Sequence, residues 1–81
     1  MTDRPGTAIR HDGYDGHNVT IPELGNPVGT IRPHRRTGAW TVIVYGVNRG
    51  DYARLADAKR TARMYADNGA DEHLARIGLA R

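Results

Sequence analysis

Two runs rich in β-branched and aromatic residues, 28–32 and 39–47, flank a connection that carries His34, Arg35 and Arg36 between Pro33 and Gly38. Branched and ring side chains fit a pleated, half-buried surface, and a short connection bounded by Pro and Gly predicts a hairpin with a basic tip. In the second run Trp40, Val42 and Val44 alternate with Ala39, Thr41, Ile43, Tyr45 and Val47, so both faces of that strand are expected to be apolar. One helix can cover one face. The other then needs the N-terminal segment, a partner chain or a ligand.

Gly46 to Gly50 read as the next turn, after which Asp51, Tyr52 and Ala53 permit either a brief third strand or the start of that helix, which is predicted from about Asp51 or Tyr52 to Asn68. Leu55, Ala58, Ala62, Tyr65 and Ala66 recur there at spacings of three and four, and Gly69 is the stop. Lys59, Arg60 and Arg63 lie on its other side. Asp71 and Glu72 ahead of Leu74 and Ile77 predict a second, short helix whose acidic first turn suits the helix dipole, fraying towards Arg81. Residues 1–17, rich in Gly, Asp and Thr, read as a flexible arm with turns at Asp12-Gly13 and Asp15-Gly16. Asn18 to Ile21 permit a short edge strand before Pro22. The expected architecture is therefore one small α+β domain over residues 18–81: a two- or three-stranded antiparallel sheet packed by one main helix, with a short C-terminal helix.

Length limits how stable such a domain can be. A chain of 81 residues buries only about 60% of its unfolded surface. With no cysteine, neither disulfides nor thiolate metal sites can add to that, and a reducing, cytoplasmic setting fits, the host cytoplasm for a phage-encoded chain. No apolar run approaches the roughly 20 residues of a bilayer span.

Charge is unevenly distributed. Residues 1–27 hold Arg4 and Arg10 against Asp3, Asp12, Asp15 and Glu23, whereas residues 28–63 hold eight basic residues against Asp51 and Asp57. A local excess of this kind concentrates polyanions, which makes nucleic acid the first partner to consider. Eleven of the twelve basic side chains are arginine, whose fork matches phosphate better than an ammonium does. Arg32, His34, Arg35 and Arg36 are the hairpin residues expected to lie across phosphates or a base edge, and Arg60 and Arg63 extend the basic set onto the helix. Against this stands the plain reading of the same arginines as a solvated loop that protects an edge strand.

Catalysis is poorly supplied. The chain has no Ser or Cys and a single Lys, so nucleophile and base pairs are scarce and no enzyme activity or cofactor is expected. The segment His11 to His17 gathers two His and two Asp, but a Gly-rich loop without supporting partners is a poor metal site, and none is expected. As a calcium loop, Asp12 to Glu23 fails at its sixth position, where His17 stands in place of Gly. Trp40 is expected to pack under the helix rather than stack on a base.

The order of Val28, Gly29, Thr30, Ile31, a basic turn, Gly38, Ala39, Trp40, Thr41, Val42, a further turn, Tyr52, then Ala58 to Ala62 on an Ala-rich helix resembles two groups. One is the three-stranded-sheet-plus-helix DNA-binding domains of phage integrase arm-binding regions and AP2-type factors. The other is a set of short bacterial and phage proteins with a strand-strand-helix layout; the Arg/Ala/Gly/Asp style is similar to actinobacterial and actinobacteriophage chains. The first resemblance implies that an exposed sheet face meets the major groove, through Arg32, Arg35, Arg36, Thr41 and Arg49. Ile43 and Tyr45 depart from it by occupying positions that are polar in that group. The expectation for function is a non-catalytic module that binds DNA or RNA through hairpin arginines. The alternative is a small phage-type regulator that binds a host protein, or itself, through Ile43, Tyr45 and Val47.

Overall fold

The computed structural model describes residues 6–78. Strands β1 (Ala8–His11), β2 (His17–Thr20), β3 (Gly29–Pro33), β4 (Trp40–Val44) and β5 (Val47–Tyr52) form one antiparallel meander in chain order, followed by helices α1 (Leu55–Asn68) and α2 (Ala70–Arg76). The class is α+β, as expected, but the sheet has five strands rather than two or three.

The extra strands arise where local signals are weakest. Ala8–His11 lies in the segment expected as a flexible arm, yet it pairs along its whole length with β2, Ile9 opposite Val19 and His11 opposite His17. This makes β2 an internal strand. Residues 1–5 of the expected arm, and the expected fraying at 79–81, lie outside the described residues. At the other edge, the run expected to continue through Val47 is cut at Tyr45 and Gly46. Their φ angles of 56° and 76° form the two-residue left-handed turn that suits a tight hairpin, with Val44 opposite Val47. Asn48 to Gly50, expected as part of a turn, are strand residues of β5, and Asp51 and Tyr52, open between a third strand and the helix start, close that strand. Gly50, at φ 105°, sits where β5 carries one residue more than β4 between the pairs Thr41–Asp51 and Ile43–Asn48.

Helix α1 starts at Leu55, later than expected, because Asp51 and Tyr52 belong to β5. Gly69 does not end it in a left-handed conformation; its φ is −97°. The reason for glycine there is close approach, since a Cβ would stand 2.9 Å from the Tyr45 ring. Ala58, Ala62 and Ala66 are fully buried, with Leu55 and Tyr65 flanking them, and they pack with Ala70 and Leu74 on Val19, Ile31, Val42 and Val44 of the sheet. Trp40 is half-buried against this core, as expected. Both helices cover one face of the sheet and leave the other open.

Candidate nucleic-acid interface

Alternation along each strand decides what the open face displays. With Val19, Ile31 and Val42 turned to the core, the register aligns Arg10, Asn18, Thr30, Ile43 and Asn48 in one row across all five strands. The next row towards the hairpin tip holds Arg32, Thr41 and Asp51, where the Thr41 hydroxyl donates to Asp51 at 2.7 Å. The open face is thus polar and β-branched, and Ile43, 39% exposed, is its large apolar side chain. The apolar second face expected from the alternation fails at the 45–46 turn. Tyr45 turns back to α1, its hydroxyl donating to the Ala66 carbonyl at 2.5 Å, and Val47 follows Val44 to the helix side.

The hairpin tip at 34–39 is held by its own backbone. His34 N–H donates to Ala39 O at 2.6 Å and Gly38 N–H to His34 O at 2.8 Å, while His34 Nδ1 accepts the Arg36 N–H at 3.3 Å. Arg35 and Arg36 stand exposed on this frame, and among the described residues no carboxylate lies within ion-pair distance of either. Arg32 differs. It lies 3.8 Å from both Asp12 and Asp15 of the neighbouring β1–β2 loop, so part of its charge is already answered.

That loop is tightly tied. The Asp12 carboxylate accepts the N–H groups of Tyr14 at 2.8 Å and Gly16 at 3.2 Å. The Tyr14 bond first, then those from Gly16 and the charges of Arg32 and His11, hold the Asp12 carboxyl below its ordinary range against the opposing cost of burial. Behind it the His17 ring is 8% exposed, edge-on to His11 at 5.2 Å and to Trp40 at 5.9 Å. Burial first, then the charges of Lys59 and His11, push His17 below its usual value, with Asp12 opposing. Its Nδ1 is buried without a hydrogen-bond partner. Among the described residues no three His, Asp or Glu side chains gather as a metal-ligand set, and no helix is long and apolar enough to cross a membrane.

The residues singled out in the sequence therefore fall into separate groups. Arg32, Thr41 and Ile43 share the open face, with His34, Arg35 and Arg36 at its rim. Arg49 lies on the helix side, its guanidinium 4.4 Å above the Tyr65 ring. Arg60 and Arg63 belong to the helix layer, Arg60 exposed and 3.9 Å from Asp57. Arg10, Asn18, Thr30 and Asn48 complete the open row without having been singled out. Their signal was the strict alternation with Ile9, Val19 and Ile31, too short in each strand to stand out alone. Comparison with known proteins finds no matching family model, no matching curated protein and no matching solved structure.

Proposed function

We propose that this chain is a non-catalytic module that binds DNA or RNA, with Arg35 and Arg36 on phosphates and the polar open face beside them. The observation that carries this reading is a pair of exposed arginines on a backbone-closed tip, with no carboxylate within ion-pair distance among the described residues, continuous with a face whose row runs from Arg10 to Asn48. A host-protein or self-association reading loses support, because the patch it needs is divided: Ile43 is on the open face, Tyr45 and Val47 on the other side. With no cysteine in the chain, the reducing cytoplasm is the compartment we assign to this activity.

Geometry narrows the mode of contact. Five strands at the usual spacing span about 19 Å, too wide for a major groove of about 12 Å, which does admit a two-stranded ribbon. A duplex is therefore met by the tip of the β3–β4 ribbon, end on, rather than by the whole sheet. Fluorescence anisotropy with labelled duplex and single-stranded oligonucleotides tests this. Binding should weaken with salt with a log–log slope of about −2 to −4, the release expected from a few phosphate contacts. No binding of any strand at low salt would overturn it.

A further inference from the structure

The geometry points to a second site, a phosphate-monoester pocket in the cleft between the 45–46 turn, β5 and α2. The cleft has a volume of about 290 Å³ and is lined by Tyr45, Val47 and Arg49 on one side and by Gly69, Glu72, His73 and Arg76 on the other, so one carboxylate, that of Glu72, stands among its cations. Tip and cleft flank opposite ends of β4, so this site does not depend on the nucleic-acid reading.

Arg49 is its anchor. Its Nε donates to Val44 O at 3.2 Å and its guanidinium lies flat over Tyr65. Both contacts fix the side chain without neutralising it. Among the described residues no carboxylate lies within ion-pair distance of it. A half-buried cation that is positioned but has no counterion is disposed to take an oxyanion, since the rigid fork has little orientational freedom left to lose. Across the cleft, Arg76 is bonded to Glu72 at 2.6 Å. That pair is an exposed one-turn contact, 66% and 76% accessible, of the kind water and other anions exchange readily. The His73 ring is held 4.5 Å from that of Tyr45.

A second observation coincides with the first. Among the described residues, Tyr45 is the one non-glycine at positive φ, in a turn that usually takes Asn, Asp or Gly. Its ring is accommodated because position 69 has no Cβ. Backbone strain kept in place by tertiary contacts collects at functional sites, and here it shapes one wall of the same cleft.

The donor set selects the ligand. A phosphate dianion offers three oxygens, enough to take the Arg49 fork in a two-point contact while leaving an acceptor for Arg76 and His73. A carboxylate has two oxygens and is satisfied by one arginine. The volume is at the small end for ligand sites, which fits a phosphate on a compact organic group laid against Val47, itself 51% exposed.

The test is an NMR titration of the full chain with inorganic phosphate, phenyl phosphate and dimethyl phosphate at constant ionic strength. The Arg49 side-chain Nε–H and the Gly69 and His73 amides should shift and saturate with the first two probes, and bind the singly charged diester roughly tenfold more weakly. Arg49→Lys keeps the charge but loses the fork, and should weaken phenyl phosphate roughly tenfold. Arg76→Ala, at an exposed position, should weaken it severalfold and decides the matter if the Arg49 variant does not fold. Cleft shifts that fail to saturate, or that survive both substitutions, would overturn the site, whatever the shifts at Arg35 and Arg36. Equal binding of the diester would overturn its assignment to a monoester.

Discussion

Strand β4 has two ends of opposite character. Before Trp40, the 34–39 tip closes on its own backbone and holds its arginines clear of the body. After Val44, the 45–46 turn is two residues long, adopts a conformation unfavourable for tyrosine, and is fastened to the helices through the Tyr45 ring. The first is local chemistry with Pro and Gly at its bounds. The second is a tertiary solution, in which ring burial, a hydrogen bond to Ala66 and the space at Gly69 outweigh the backbone preference. One end can be rewritten without disturbing the fold, and the other cannot.

The largest effect expected from breaking that contrast is at the fastened turn. Tyr45→Ala should cost about 3 kcal/mol, the usual loss for removing a packed aromatic side chain, measured by urea unfolding. Gly69→Ala should cost about 1–3 kcal/mol by forcing the ring off its seat. In the Tyr45→Gly background most of that cost should go, because the ring is the nearest group the new Cβ meets, and what stays is a 3.2 Å approach to the Tyr65 carbonyl oxygen. Additive costs in the double variant would contradict the close-approach account.

A smaller effect concerns His17, below the open end of the sheet. Its folded-state value lies below the unfolded one near 6.5, so the unfolded chain binds the proton more readily. Its contribution to stability is complete above pH 6.5 and is lost as pH falls through the folded value. Unfolding free energies at pH 7.5 and 5 should show this decline, and His17→Phe should reduce it. An unchanged slope would show that the burden lies elsewhere. Smallest of all, Arg35→Ala and Arg36→Ala should shift stability by no more than about 0.5 kcal/mol.

The contrast also marks how far the sequence could be read. The Ala58, Ala62, Ala66 stripe, the hairpin around Arg35 and Arg36, and the packing of Trp40 follow from periodicity and turn chemistry, which are local. Strand β1 was hidden because four residues beside a Gly-rich loop carry no pattern until β2 pairs with them. The first half of strand β5 was hidden because Asn48 and Gly50 are poor strand formers, held in place by the 45–46 turn and the bulge, whereas Asp51 and Tyr52 were open to a strand reading. Tyr45 misled for the same reason: its strand preference pointed to a continuous strand, and only the distant Gly69 and Ala66 explain why the chain turns. Of the candidate interface, the tip was legible and the polar row was not, since a row across five strands exists only in the assembled sheet.

The central claim is that the free end of β4 meets the anionic partner. Anisotropy of a labelled oligonucleotide with the Arg35→Glu, Arg36→Glu double variant, checked by unfolding to be as stable as the parent, tests it most directly. The account predicts a loss of affinity of at least roughly tenfold at low salt and a salt slope shallower by about 2, one for each phosphate contact removed. Affinity and slope equal to the parent's would contradict it.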